Sequence, residues 1–130
     1  MSAPQEAPTA EHEDLDRIAV ELPPSARWIR LARLMVTSIA NDAGFDTDTV
    51  EDARVAIDEA CGLFVERHAS SALRIAFVPT PDVLTIEISA AVPSDRTDPS
   101  GLAAEVLDAV TSTWTWIVEA DRAALRLTVG

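Results

Sequence analysis

The main change in the hydrophobic period of this 130-residue chain, from two long helical stretches to strand alternation, comes near residue 70. Before that point apolar residues recur at helical spacing, and beyond it at every second position over most of the chain. A helix-period pattern and a strand-period pattern bury different faces, so this switch fixes where helices must give way to sheet. The first helical stretch is Ala26–Ala43, with Ser25 as N-cap, Gly44 as stop, and Trp28, Leu31, Ala32, Met35, Val36 and Ile39 on one stripe. Asp46 or Thr47 caps the second, Asp48–His68, whose predicted core stripe is Val50, Ala53, Ile57, Cys61 and Phe64, with His68 at its end and expected to serve in C-terminal capping.

Two alternating runs follow, Ala72–Pro79 and Val83–Ala91, and the Thr80-Pro81-Asp82 turn between them predicts an antiparallel hairpin. Val92–Gly101 is a loop of turn residues, and Ser100 is placed to cap a short helix over Leu102–Val110. A second hairpin turns at Asp121, with Trp114, Trp116 and Val118 on one face of its first strand. Upstream of the helices, Ile18, Val20 and Leu22 alternate in a short strand ended by Pro23-Pro24. The predicted order is β-α-α-β-β-α-β-β. Such a chain is α+β: a two-layer α/β sandwich with a mixed or antiparallel sheet and its helices on one face. Residues 1–16, rich in Pro, Ala and Glu, read as a disordered acidic tail, leaving 17–130 as one domain.

Charge narrows the function. The formal net charge is −12 and the chain contains no lysine, which excludes a P-loop and argues against nucleic acid as a partner. A basic protein partner fits this charge better. No apolar run is long enough for a membrane helix, and a signal-peptide pattern is missing, so the expected location is cytoplasmic. One cysteine, Cys61, on an apolar stripe, reads as a small buried hydrophobe, and His12 and His68 lie too far apart to suggest zinc. Within this acidic chain, Arg27, Arg30 and Arg33 share one side of the first helix. They read either as a solvated face or as a contact surface for an acidic partner or a second subunit. Asp58 reads as a boundary residue bonded to a nearby arginine.

The run from VELPPSARWIR through AIDEACGLFVERHA resembles the N-terminal half of RsbW-type anti-sigma factors, serine-kinase relatives in the GHKL (Bergerat) histidine-kinase-like ATPase superfamily. The similarity is strong over the first half and topological over the last forty residues. It implies the Bergerat fold, a cytoplasmic homodimer, a role in stress response by partner switching, and two partners: an RNA polymerase sigma factor and a STAS-type anti-sigma antagonist. It also implies an ATP/Mg site whose second helix carries Glu-x-x-x-Asn, the Glu as base and the Asn as Mg²⁺ ligand.

Glu59 stands at the family's Glu position, and Leu63 replaces the Asn. Side chains four apart lie on one helix face, and both are expected to point away from the core stripe. A leucine offers no oxygen to a hard cation. The family's Asp-x-Gly-x-Gly turn is also missing, since the chain reads SAAVPSD there, and the glycine-rich lid is reduced to DRTDPSGLAAE. The resulting expectation is an anti-sigma factor that binds through Arg27, Arg30 and Arg33, with Glu59 vestigial and neither a metal site nor a working nucleotide site. Two alternatives remain at this stage: an active ATP-dependent serine kinase, and an adaptor that no longer binds a sigma factor.

Overall fold

A computed structural model describes residues 16–130; of the expected 1–16 tail, all but Asp16 lies outside the described residues. The elements in chain order are β1 (Ile18–Leu22), α1 (Ala26–Asp42), α2 (Thr47–Glu66), β2 (Leu73–Pro79), β3 (Leu84–Ala91), α3 (Gly101–Val110), β4 (Thr113–Glu119) and β5 (Arg122–Val129). The strands form one five-stranded sheet in the order β1-β2-β3-β5-β4. Every neighbouring pair is antiparallel, so the mixed alternative falls away.

Register explains the layering. Ile75 faces Ile88, which faces Leu125; Phe77 faces Ile86, which faces Leu127. All six are fully buried, and with Leu73, Leu84, Ala90, Ala123 and Val129 they form the core face of the sheet. The opposite face carries Arg74, Glu87, Arg122 and Arg126, the solvated half of each alternation. Of the two apolar residues expected beside Trp114, Trp116 is buried, whereas Val118 is 43% exposed near the hairpin end of the edge strand.

The first helix buries Ala32 and Val36 of its expected stripe, but the centre of that stripe is displaced toward Ile29 and Ala40. Ile29, Ala32, Val36 and Ala40 are buried, while Trp28, Leu31, Met35 and Ile39 are half-buried along the borders. On α2 the buried set is Val50, Ala53, Ala56, Ile57, Ala60, Cys61, Leu63 and Phe64. Alanines on the contacting faces of both helices allow close approach.

Helix ends follow backbone chemistry. Asp46 accepts a 2.8 Å hydrogen bond from the Thr49 amide, whereas Ser25 and Ser100 occupy N-cap positions without a side-chain cap bond. At the end of α2, His68 N–H donates to Val65 O and Ala69 N–H to Phe64 O, the double bond that requires a left-handed residue between them. That residue is His68, at φ 57°, exposed rather than in the core stripe. Replacing it with glycine removes the steric penalty, and His68→Gly is expected to raise stability by about 0.5–1 kcal/mol, read by urea denaturation. A value at or below zero would mean that the histidine side chain compensates for the backbone strain.

Candidate functional site

The residues singled out on α2 converge on a cleft of about 440 Å³ lined by Glu59, Leu63, Glu66, Arg67, Asp95, Ser100, Leu102 and Ala103. Its floor is α2, one wall is the 92–100 loop, and the other is the first turn of α3. Glu59 and Glu66 are two turns apart, so both reach the same opening. Burial pushes the Glu59 carboxyl above its ordinary range, and the negative charges of Glu66 and Asp58 push it further.

The sign of that shift gives a measurable consequence. A carboxyl whose pKa is raised by folding destabilises the fold as pH rises through its unfolded and then its folded value. Glu59→Gln is therefore expected to be more stable than the parent at neutral pH. The gap should close below about pH 4, where the free carboxyl is protonated in both states. Melting temperatures across that range check it, and an unchanged gap at acid pH would contradict the assignment.

Leu63 departs from the expectation that it points away from the core. It is only 5% exposed and belongs to the central apolar cluster, reaching the cleft at its inner edge. Asp58, in contrast, behaves as expected: its carboxylate accepts a hydrogen bond from Arg33 on α1. That contact separates Arg33 from the other two arginines. Arg27 and Arg30 are exposed, and Arg27 stacks over Trp28 at 4.8 Å from the ring centroid. The stripe they share on α1 includes Leu34, 66% exposed.

Sequence reasoning missed Arg67. Just past the end of α2, its guanidinium donates to the Thr97 carbonyl and, at 3.4 Å, to the Asp95 carbonyl. It also stacks over Trp116 at 4.9 Å. The Trp116 indole N–H donates to Arg96 O at 3.0 Å, and the ring packs on Phe64 with centroids 5.5 Å apart. Arg96 in turn donates to the carbonyls of Val92 (2.6 Å) and Pro93 (2.9 Å). The bonds from Arg67 to the loop link residues 28 and 30 positions apart, which local pattern cannot reveal.

The groups lining the cleft can be tested against Mg²⁺ and a nucleotide. Among the described residues, no group of three or more His, Cys, Asp or Glu could hold a metal. Glu59 has Leu63, not an oxygen donor, one turn away. Three carboxylates, those of Glu59, Glu66 and Asp95, face the opening, and the one cation lining it, Arg67, is engaged with loop carbonyls. Gly101 is the only glycine at the α3 end. The set fits neither the cation nor a triphosphate.

No family model matches the chain. The chain is 37% identical over 57 residues to the serine-protein kinase RsbW of Bacillus cereus (strain AH187), and equally to that of Bacillus thuringiensis (strain Al Hakam). Each match covers 44% of this chain and 35% of the relative, so the matched stretch spans about a third of the length of these curated relatives. Among solved structures, the RsbU and RsbW domains of Rv1364c from Mycobacterium tuberculosis match with a TM-score of 0.68 at 20% identity, over 86% of this chain and 31% of that one. The SiaB-SiaC complex from Pseudomonas aeruginosa matches with a TM-score of 0.66 at 12% identity, over 99% of each chain. The fold is thus the histidine-kinase-like ATPase sandwich. Among the described residues, no helix is long and apolar enough to cross a membrane.

Proposed function

For a chain related to the RsbW serine-protein kinases and folded in their manner, we propose an anti-sigma factor that sequesters an RNA polymerase sigma factor and has lost its nucleotide chemistry. The observation carrying this reading is Leu63, buried in the core where the family's metal-binding Asn is expected. Mg²⁺-dependent phosphoryl transfer depends on metal ions to neutralise developing charge, and one turn from Glu59 this helix offers a leucine in place of an oxygen donor. Sequestration needs only a surface, and the exposed Arg27–Arg30–Leu34 stripe supplies one: two cations followed by an apolar anchor along one helix face. The chain acts as a cytoplasmic homodimer in stress-response partner switching, and a STAS-type antagonist releases the sigma factor by competition.

Titration with a fluorescent ATP analogue, with and without Mg²⁺, tests the lost site: no saturable binding is expected, and Mg²⁺-dependent micromolar binding would sink it. For the surface, Arg33 is held by Asp58, so Arg27→Glu/Arg30→Glu is the cleaner variant. It is expected to weaken sigma-factor binding at least tenfold, as measured by calorimetry; unchanged affinity would remove α1 from the interface. One observation favours the alternative of an active serine kinase. Glu59 is retained, half-buried, with its carboxyl shifted toward the range useful to a general base. Transfer of labelled phosphate to a STAS-type antagonist would establish it.

A further inference from the structure

The 92–100 loop lies where the resemblance places a nucleotide lid, and its contacts are made by the chain itself. We infer that Arg67 and Trp116 form a clamp that holds this loop in one shape without any nucleotide, making Arg67 its positioning residue. The inference deepens the reading above, because it supplies the regulation of the same cleft: partner binding insensitive to adenine nucleotide.

Four observations carry it. Arg67 meets the backbone carbonyls of Asp95 and Thr97, and only 12% of its side chain is exposed, so the arginine is fixed by packing as it reaches the loop. Trp116 closes the opposite side through its indole bond to the Arg96 carbonyl, so three loop carbonyls are bound by two side chains. The guanidinium carbon lies over the indole, 4.9 Å from its centroid, and Phe64 packs on the indole from α2, anchoring the clamp to that helix. Finally, Asp95 accepts from both the amide (3.1 Å) and the hydroxyl (2.7 Å) of Thr97, folding the loop tip on itself. A loop whose polar groups are met this way has little to gain from a ligand. Its carbonyls are occupied, and the adjoining carboxylates face the cleft.

Because Arg96 lies in the loop and the chain has no lysine, trypsin reports directly on whether the clamp is closed. Limited trypsinolysis of the full chain, read by mass spectrometry, is expected to leave Arg96–Thr97 intact, at the same rate with or without millimolar Mg-ATP. Arg67→Gln, confirmed as folded by circular dichroism, should be cut there at least tenfold faster. Trp116→Phe keeps the ring but removes the indole donor, and should also be cut faster, which keeps the test valid if the arginine variant does not fold. Rapid cleavage of the parent, protection only when Mg-ATP is added, or equal rates in parent and Trp116→Phe would each overturn the clamp. Saturable ATP-analogue binding with Arg96 still protected would defeat the reading of a lost nucleotide site while leaving the clamp standing.

Discussion

Phe64→Ala is expected to cost about 3–5 kcal/mol of folding stability, measured by urea denaturation with intrinsic tryptophan fluorescence as the probe. Phe64 is fully buried on α2, and its ring is the surface against which Trp116 packs. Truncation leaves a cavity between the second helix and the edge of the sheet, and the indole on its far side cannot collapse into it freely. Trp116 is held by its bond to Arg96 O and by the guanidinium stacked on it. A domain of this size has only about 5–15 kcal/mol in total, so the variant should be close to the limit of folding at physiological temperature. Phe64→Leu, which refills much of the volume, should lose far less. A loss under about 1 kcal/mol for the alanine variant would mean that the helix–sheet junction is not the close-packed core described.

Most of the architecture was legible because its signals are local. Alternation in LRIAFVP and LTIEISAA placed β2 and β3, and Thr80 closes their turn through a 3.0 Å amide bond to Val83 O, as the turn residues suggested. What was misread has a common cause. Periodicity weighs apolar character and ignores size, so its stripe on the first helix took in Ala32 and Val36, which are buried, together with Trp28, Leu31, Met35 and Ile39, which are only half-buried, and left out Ile29 and Ala40. The packing centres on Ile29, Ala32, Val36 and Ala40, where the two alanines let the long helices approach and the bulkier Trp28, Leu31, Met35 and Ile39 seal the borders. The same preference for local pattern hid Arg67, whose loop partners are about thirty residues away, whereas His68, expected at the helix C-terminus, closes the helix in an exposed left-handed conformation. The Glu59–Leu63 pair was legible in identity, though the burial of Leu63 was not.

Leu63→Asn, which rebuilds the family's residue pair in this chain, is expected to lose about 2–4 kcal/mol of stability and to gain no Mg-ATP binding. The stability term follows from burial: the change removes an apolar side chain from the central cluster and puts a primary amide in its place. On its core side the surrounding cluster is apolar and offers that amide no partner, so only its cleft-facing edge can be satisfied. The functional term follows from the rest of the cleft. Even with an oxygen restored, Glu66 and Asp95 would still face a triphosphate, Arg67 would still be occupied by loop carbonyls, and no Asp-x-Gly-x-Gly turn would receive the base. The two measurements, chemical denaturation and analogue titration, separate the causes of the loss. Restored binding would mean that Leu63 alone separates this cleft from a nucleotide site. Instability without binding would mean that the leucine is part of the packing, so that a single substitution cannot create a nucleotide site here.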